Sequence, residues 1–401
     1  MSNKNKRLID RICDWDNLME AHRLARRGKR NRFEVVSFEA NLWENLAALQ
    51  MEMLHGTYQV GRYREFVAFE PKRRAILAAP YRDRVAQHAI MNIVAPIWDR
   101  SMIADTYACR PGMGTHSGAD RTQRWLRGMA ATHGESGVWV LKMDVSKFFA
   151  SIPHALAKAV VRRRVRCAAT LRLLDTIIDS TAGPDEIAPV GVPVGNLTSQ
   201  WIGNLVGNEI DQWAKRTLRL RRYVRYMDDM VVIHHDKAHL LAVREAFRDK
   251  LEALGMRFSK AEILPASRGV NFLGYRIWPH HRLLRRQSIT RIRRTLARLE
   301  VRFAAGDITL TDVQRRLHSW LAHAAHANSY GLRRKMVPAR LFARGSGVWG
   351  GISFVTGGGE RSEGREAAWG LGCGAIRGPV GFATDFERLA QKAGRFAQDL
   401  T

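Results

Sequence analysis

Short apolar runs closed by acids sit in the middle of the chain, and stretches with helical periodicity surround them. VWVLKMD at 138–144 follows Gly137 and ends on Asp144. Its brevity and its β-branched and aromatic content predict a buried strand, with a helix starting at Pro153. RYVRYMDDMVVIHH at 222–235 places two apolar stretches around Asp228-Asp229 and predicts a β-hairpin; 269–285 predicts another. Residues 1–32 predict one helix, with Ile9, Ile12, Leu18 and Leu24 on one face and a basic end at Arg26, Arg27, Lys29, Arg30 and Arg32. A second helical segment covers 33–60 through Leu42, Leu46 and Leu49, and further helices are expected over 82–100, 199–219 and 237–254. Tyr63, Phe66, Val67 and Phe69 suggest a strand over 62–70, with a turn and another strand over 71–77. From 287 to 340 the pattern is helical and very basic. After 345 glycine is dense and periodicity is lost, although Phe386, Leu389, Phe396 and Leu400 keep near-helical spacing. The mixture predicts an α+β fold.

Charge changes the picture more than composition does. The 65 Lys and Arg against 38 Asp and Glu leave a formal net charge of +27 over 401 residues. Such an excess repels itself in a compact chain and calls for a polyanionic partner, nucleic acid first. The hydrophobic share of 46% suffices for a core, yet no apolar run is long enough to cross a bilayer, and no membrane partner is expected. The start, MSNKNKRLIDRICDW, lacks the apolar core of a secretory signal. Cys13, Cys109, Cys167 and Cys373 show no zinc or redox spacing, which suits reduced thiols in a cytoplasmic protein.

Asp144, Asp228 and Asp229 each lie at a strand end or in a tight turn beside one. Carboxylates placed there are costly unless a cation stands on them, and adjacent acids repel. Mg²⁺ takes hard oxygen ligands and keeps waters for phosphate, with Mn²⁺ as a substitute. Two such ions about 4 Å apart activate an attacking hydroxyl and stabilise a leaving pyrophosphate. A bare Asp-Asp pair is equally an ordinary turn; the apolar strands around Tyr226-Met227-Asp228-Asp229 and the upstream Asp144 are what favour a site. His234 and His235 read as structural, since adjacent strand residues point apart and no further ligand spacing completes a metal site.

These motifs resemble those of the reverse transcriptases, in the family's order across about 65–345. Asp144-Val-Ser-Lys-Phe-Phe149 is similar to palm motif A and Tyr226-Met-Asp-Asp229 to motif C. The resemblance implies a right-hand polymerase of fingers, palm (antiparallel sheet plus helices) and helical thumb. It divides the chain into a basic helical segment (1–60), fingers and palm (61–285), thumb (286–344) and a Gly-rich extension (345–401) expected to be partly disordered. It implies that Asp144, Asp228 and Asp229, with the backbone carbonyl of Val145, hold two Mg²⁺ ions. It further implies that Phe149 excludes a ribose 2′-hydroxyl, that Lys72 and Arg74 (with Arg73 nearly as good) hold the triphosphate, and that Arg110 touches the template or incoming base. Tyr226, Met227 and the Phe272-Leu273-Gly274-Tyr275 turn contact the primer strand, and Lys260 protonates the leaving pyrophosphate. Arginines at 291, 293, 294, 298, 302, 315 and 316 suit a thumb that holds an RNA–DNA duplex by its phosphates.

Val194-Gly-Asn-Leu-Thr-Ser-Gln200 narrows the resemblance. Most reverse transcriptases carry Gln-Gly and end in Ser-Pro here, whereas Val194 before Gly195 and Gln200 after Ser199 resemble the enzymes of diversity-generating retroelements. The resemblance then implies cDNA synthesis from a retroelement template RNA, errors at template adenines that diversify a target gene, and a small basic helical accessory protein. It also implies a bacterial cytoplasm, with phage coding as an alternative. Other readings are a defence-associated or group II intron-like reverse transcriptase, and a non-catalytic RNA-binding scaffold. No nuclease signature follows the thumb.

Overall fold

Asp14 divides what the apolar pattern predicts as a single N-terminal helix. Its carboxylate accepts the amides of Asp16 (3.0 Å) and Asn17, an N-cap that ends α1 (Leu8–Ile12) and starts α2 (Trp15–Ala25). The computed structural model describes residues 8–68, 74–183, 186–336, 342–344 and 348–350. The second predicted segment is also two helices, α3 (Phe33–Ala40) and α4 (Leu42–His55), broken at Asn41; α4 stops at Gly56, whose φ of 74° is left-handed.

By contact the chain forms two units, Met1–Leu273 and Gly274–Thr401. In the first, β1 (Arg64–Ala68) and β2 (Arg74–Ala78) make an antiparallel hairpin with Arg64 opposite Ala78. There follow α5 (Tyr81–Asp99), α6 (Thr115–His133), β3 (Trp139–Val145), α7 (Phe148–Ser151), α8 (His154–Arg162), α9 (Ala168–Asp179) and α10 (Leu197–Arg216). The unit closes with β4 (Tyr223–Tyr226), β5 (Asp229–His234), α11 (Lys237–Glu252), β6 (Phe258–Pro265) and β7 (Val270–Phe272). Strands β4-β5-β3-β6, in that order, form an antiparallel sheet.

Alternation along a strand gives this sheet two unlike faces. Tyr223, Val232 and Leu141, with Met230 and Met143, are buried in the core that the surrounding helices complete. The other face carries Tyr226, Asp229, Asp144 and Lys260 in one row across all four strands, because the register pairs Tyr226 with Asp229, Asp229 with Asp144 and Asp144 with Lys260.

Helix α10 is buried along most of its length and packs on α8 and α5. Two glycines one turn apart allow close approach, Gly203 to α7 and Gly207 to β4. A Cβ on Gly203 would lie 2.8 Å from the Phe149 ring, and one on Gly207 would lie 2.3 Å from the Arg225 guanidinium. Phe148 and Phe149 open the short helix α7 after Lys147 in a left-handed conformation (φ 45°). Phe148 goes to the core and Phe149 stays half-buried, the rings meeting edge-on at 5.5 Å.

His235 lies beyond the end of β5, so the expected divergence of the two histidines fails: the His234 and His235 rings stack at 4.5 Å. In the second unit, β8 (Tyr275–Ile277) pairs with β9 (Arg282–Leu284). Then come α12 (Arg286–Ala304), α13 (Leu310–Ala325), α14 (Tyr330–Met336) and the short pair β10 (Phe342–Arg344) and β11 (Val348–Gly350). Ile292, Leu296 and Phe303 bury one stripe of α12, while arginines 291, 293, 294, 298, 302, 315 and 316 are exposed. The expectation for the rest of the Gly-rich extension lies outside the described residues.

Candidate active site

The β4–β5 turn is the tightest element of the site. Met227 adopts φ 52°, a left-handed conformation costly for a residue with a Cβ, which something must hold in place. Arg225 does this from the core side. Fully buried, it forks onto Asp211 (Nε–Oδ1 2.8 Å, Nη2–Oδ2 2.7 Å), reaches the backbone and side chain of Asn204, and donates to the Met227 carbonyl at 3.2 Å. Asp211 is completed by the hydroxyls of Thr106 (2.6 Å) and Tyr223 (2.7 Å). Burial alone would lower the Arg225 pKa, but the Asp211 carboxylate outweighs it, so the guanidinium stays charged.

The turn is tied to β3 by the Val145 amide, which donates to the Asp228 carbonyl at 3.1 Å, just where the β3–β6 register shifts. Asp144 and Asp229 therefore face each other across the strands with Asp228 beside them. Lys142, two residues before Asp144 and so on the same face, spans the pair: its ammonium is 2.9 Å from Asp144 Oδ2 and 2.7 Å from Asp229 Oδ1. Among the described residues no group of three His, Cys, Asp or Glu stands assembled as a metal cage. The donor chemistry nonetheless fits a hard divalent cation: carboxylate oxygens on a half-exposed surface, already holding one cation between them. Asp144, Asp228 and Asp229 are the residues that could hold it.

Lys260 keeps its place opposite Asp144, but its exposed side chain pairs with Glu262 at 2.9 Å. Phe149 stands over Gly203 of α10. Ahead of α10, the Val194 carbonyl accepts the Leu77 amide of β2 at 3.1 Å. Gly195 takes φ 115°, and a Cβ there would press on Ile76 at 3.1 Å. On α10, Gln200 accepts from the Cys109 thiol at 3.3 Å. Burial pushes that thiol up to about 11, so it remains protonated and able to donate.

Several expectations need correction. Arg110 does not reach out to a template or base: it is buried, with Nε on Asp99 (2.5 Å) and Nη1 on the carbonyls of Ile103 and Thr106, and so braces its own loop. Met227, Phe272, Leu273 and Tyr275 are also buried, so in this structure their turns present backbone rather than these side chains at the surface. Within the second unit the Tyr275 hydroxyl donates to the His323 carbonyl at 3.0 Å. Lys72 and Arg73 lie outside the described residues, as does the side chain of Arg74, which begins β2.

The sequence reasoning missed Lys142, Arg225, Asp211, Gly203, Gly207 and Cys109. Lys142 was accessible from alternation alone, since it is two residues before an acid on an otherwise apolar strand. Arg225 likewise interrupts the apolar run before Tyr226. Asp211 carries no such mark within a helix rich in polar residues.

Residues 70–277 match the family model described as reverse transcriptase (RNA-dependent DNA polymerase). The chain belongs to the reverse transcriptase family. The matched span begins just before β2 and runs through the carboxylate row to β8, so the antiparallel sheet with its helices is the family's palm and the α+β polymerase fold stands. Protein YkfC of Escherichia coli (strain K12) is 28% identical over 290 residues, covering 62% of this chain and 74% of that protein. Among solved structures, telomerase from Candida albicans in complex with a fragment of telomeric RNA aligns with TM-score 0.44 and 9% identity over 63% of this chain. Apo telomerase from Candida tropicalis, truncated of its C-terminal domain, aligns with TM-score 0.43 and 11% identity over 61%. The chain spans 52% and 60% of the length of those two telomerase chains. Among the described residues no helix is long and apolar enough to cross a membrane.

Proposed function

We propose that this chain is an RNA-templated DNA polymerase of the diversity-generating retroelement type, copying a template RNA into cDNA with errors at template adenines. The observation that carries the polymerase reading is the row of Asp144 and Asp229 with Asp228 in the adjoining turn; the retroelement type rests on Val194, where most of the family has Gln. Two Mg²⁺ ions, when bound, would lower the pKa of the primer 3′-hydroxyl and stabilise the pyrophosphate. The chain's own residues do the rest. Asp144 and Asp228 aim the carboxylate oxygens, with the Val145 carbonyl beside them, and Arg225 holds the turn that carries Asp228.

Phe149, seated on Gly203, fills the space a 2′-hydroxyl would need and selects deoxynucleotides. Gly195 lets the backbone run close to β2, and Gln200 is left with its amide NH₂ for the base while Cys109 engages its oxygen. Val194 offers no hydrogen bond to an incoming nucleotide, which loosens geometric checking. Lys72 and Arg74 bind the triphosphate, and Lys260 is the acid for the leaving pyrophosphate, once a substrate draws it from Glu262. Residues 61–285 act as fingers and palm. Arginines of 286–344 act as a thumb that tracks an RNA–DNA duplex by its phosphates. A basic helical accessory protein and a structured template RNA complete the assembly, in a bacterial cytoplasm.

The test is primer extension on an RNA template with Mg²⁺, followed by sequencing of the cDNA. Wild type should yield product with frequent errors at adenines. Asp228→Asn should lose at least about 10³-fold in rate while keeping RNA affinity. Val194→Gln should reduce the adenine errors. Accurate wild-type product would end the retroelement reading, and equal activity of Asp228→Asn would end the polymerase site.

A further inference from the structure

Lys142 has no place in the chemistry described so far, yet it is in ion-pair contact with two acids of the carboxylate row. Its side chain is 13% exposed, its stem lies on the sheet between Val231 and Glu262 in the register, and its ammonium bridges Asp144 and Asp229. Glu262, the acid directly across from it on β6, is engaged instead by Lys260. Lys142 is thus directed along its own strand toward the site.

We propose that Lys142 is an internal counter-ion of the carboxylate site, which neutralises Asp144 and Asp229 before any divalent ion is bound, then gives up Asp144 and keeps Asp229. The proposal rests on the assignment of Asp144 and Asp228 as metal ligands. Its logic is electrostatic. Adjacent carboxylates on a half-buried surface repel, and a tethered cation removes that repulsion without a metal. The same cation competes for Asp144 Oδ2, so the nucleotide-free protein binds divalent ions weakly. By keeping Asp229, Lys142 makes the two acids of the turn unequal: Asp228 remains a ligand and Asp229 an anchor for the lysine. Lys142 is therefore a positioning residue.

The experiment measures Mn²⁺ binding to the full chain by loss of the free-ion EPR signal, for wild type, Lys142→Met, Lys142→Arg and Asp228→Asn, with thermal melts of each in chelator and in Mn²⁺. Lys142→Met keeps the length and packing of the stem while removing the charge. Expected is binding tightened about tenfold or more in Lys142→Met, from loss of a like charge a few ångströms from the ion. Lys142→Arg should stay near wild type. In chelator Lys142→Met should melt lower than wild type, and Mn²⁺ should raise its Tm by more than it raises that of wild type. Unchanged or weakened Mn²⁺ binding in Lys142→Met, with wild-type binding still dependent on Asp228, would overturn the counter-ion role and leave the metal assignment standing. Wild-type binding that is indifferent to Asp228→Asn would overturn the metal assignment and this inference together.

Discussion

Replacing Arg225 by Met tests how the catalytic turn is supported. Arg225 and Asp211 are 1% and 0% exposed, so neither charge has water to fall back on. The substitution leaves the Asp211 carboxyl in the core with only the Thr106 and Tyr223 hydroxyls. It also removes the donor to the Met227 carbonyl. Loss of one partner from a buried pair costs about 3–5 kcal/mol, mostly the orphaned charge rather than the worth of the pair. Removing both charges, in Arg225→Met with Asp211→Leu, strands two hydroxyls at about 1 kcal/mol each and should therefore be less damaging than Arg225→Met alone. The assay is urea unfolding of both single variants and the double, read as a double-mutant cycle, with the slope checked for constancy. A loss below about 1 kcal/mol for Arg225→Met, or a double variant as destabilised as the sum of the singles, would refute the reasoning.

Three further outcomes follow from the packing and from one histidine. Gly203→Ala places a methyl 2.8 Å from the Phe149 ring and should cost about 1–3 kcal/mol while shifting deoxy-over-ribonucleotide preference; unfolding and single-nucleotide incorporation measure the two effects. Phe149→Ala should raise ribonucleotide incorporation selectively, and an unchanged ratio would remove Phe149 from the role of gate. Burial, with the Lys29 charge nearby, pushes His88 from 6.5 down to about 4. The unfolded chain takes up that proton first, so this contribution to stability is whole above pH 6.5 and is lost as pH falls toward about 4. His88→Gln should flatten the drop in urea midpoint between pH 7 and pH 5.

The palm was the most legible part of the sequence. VWVLKMD and RYVRYMDDMVVIHH declare strands because β-branched runs, glycine and a tight acidic turn all agree, and motif spacing then names the acids. The N-terminal helices were run together because the apolar spacing continues through Asp14 and Asn41, and only the cap geometry breaks it. Arg110 was misplaced because a motif position gives a residue type and not a direction: the side chain turned toward Asp99, a partner that periodicity cannot reveal. The burial of Phe272, Leu273 and Tyr275 was equally illegible, being set by contacts distant in sequence. Gly203 and Gly207 were invisible as packing residues until Phe149 and Arg225 stood opposite them.

The two faces of β3 have a consequence for how this protein can change. Met143 and Leu141 answer to the interior and Asp144 and Lys142 to the chemistry, yet they alternate along seven residues of one strand. Insertion or deletion of one residue within that strand would exchange the two sets, burying the acids and exposing the methionine and leucine. Length between Trp139 and Asp144 is therefore frozen, while point substitutions remain open to each set separately. Variation in this enzyme should enter through its loops and through single exchanges on one face, and never through a change of strand length beneath the acids.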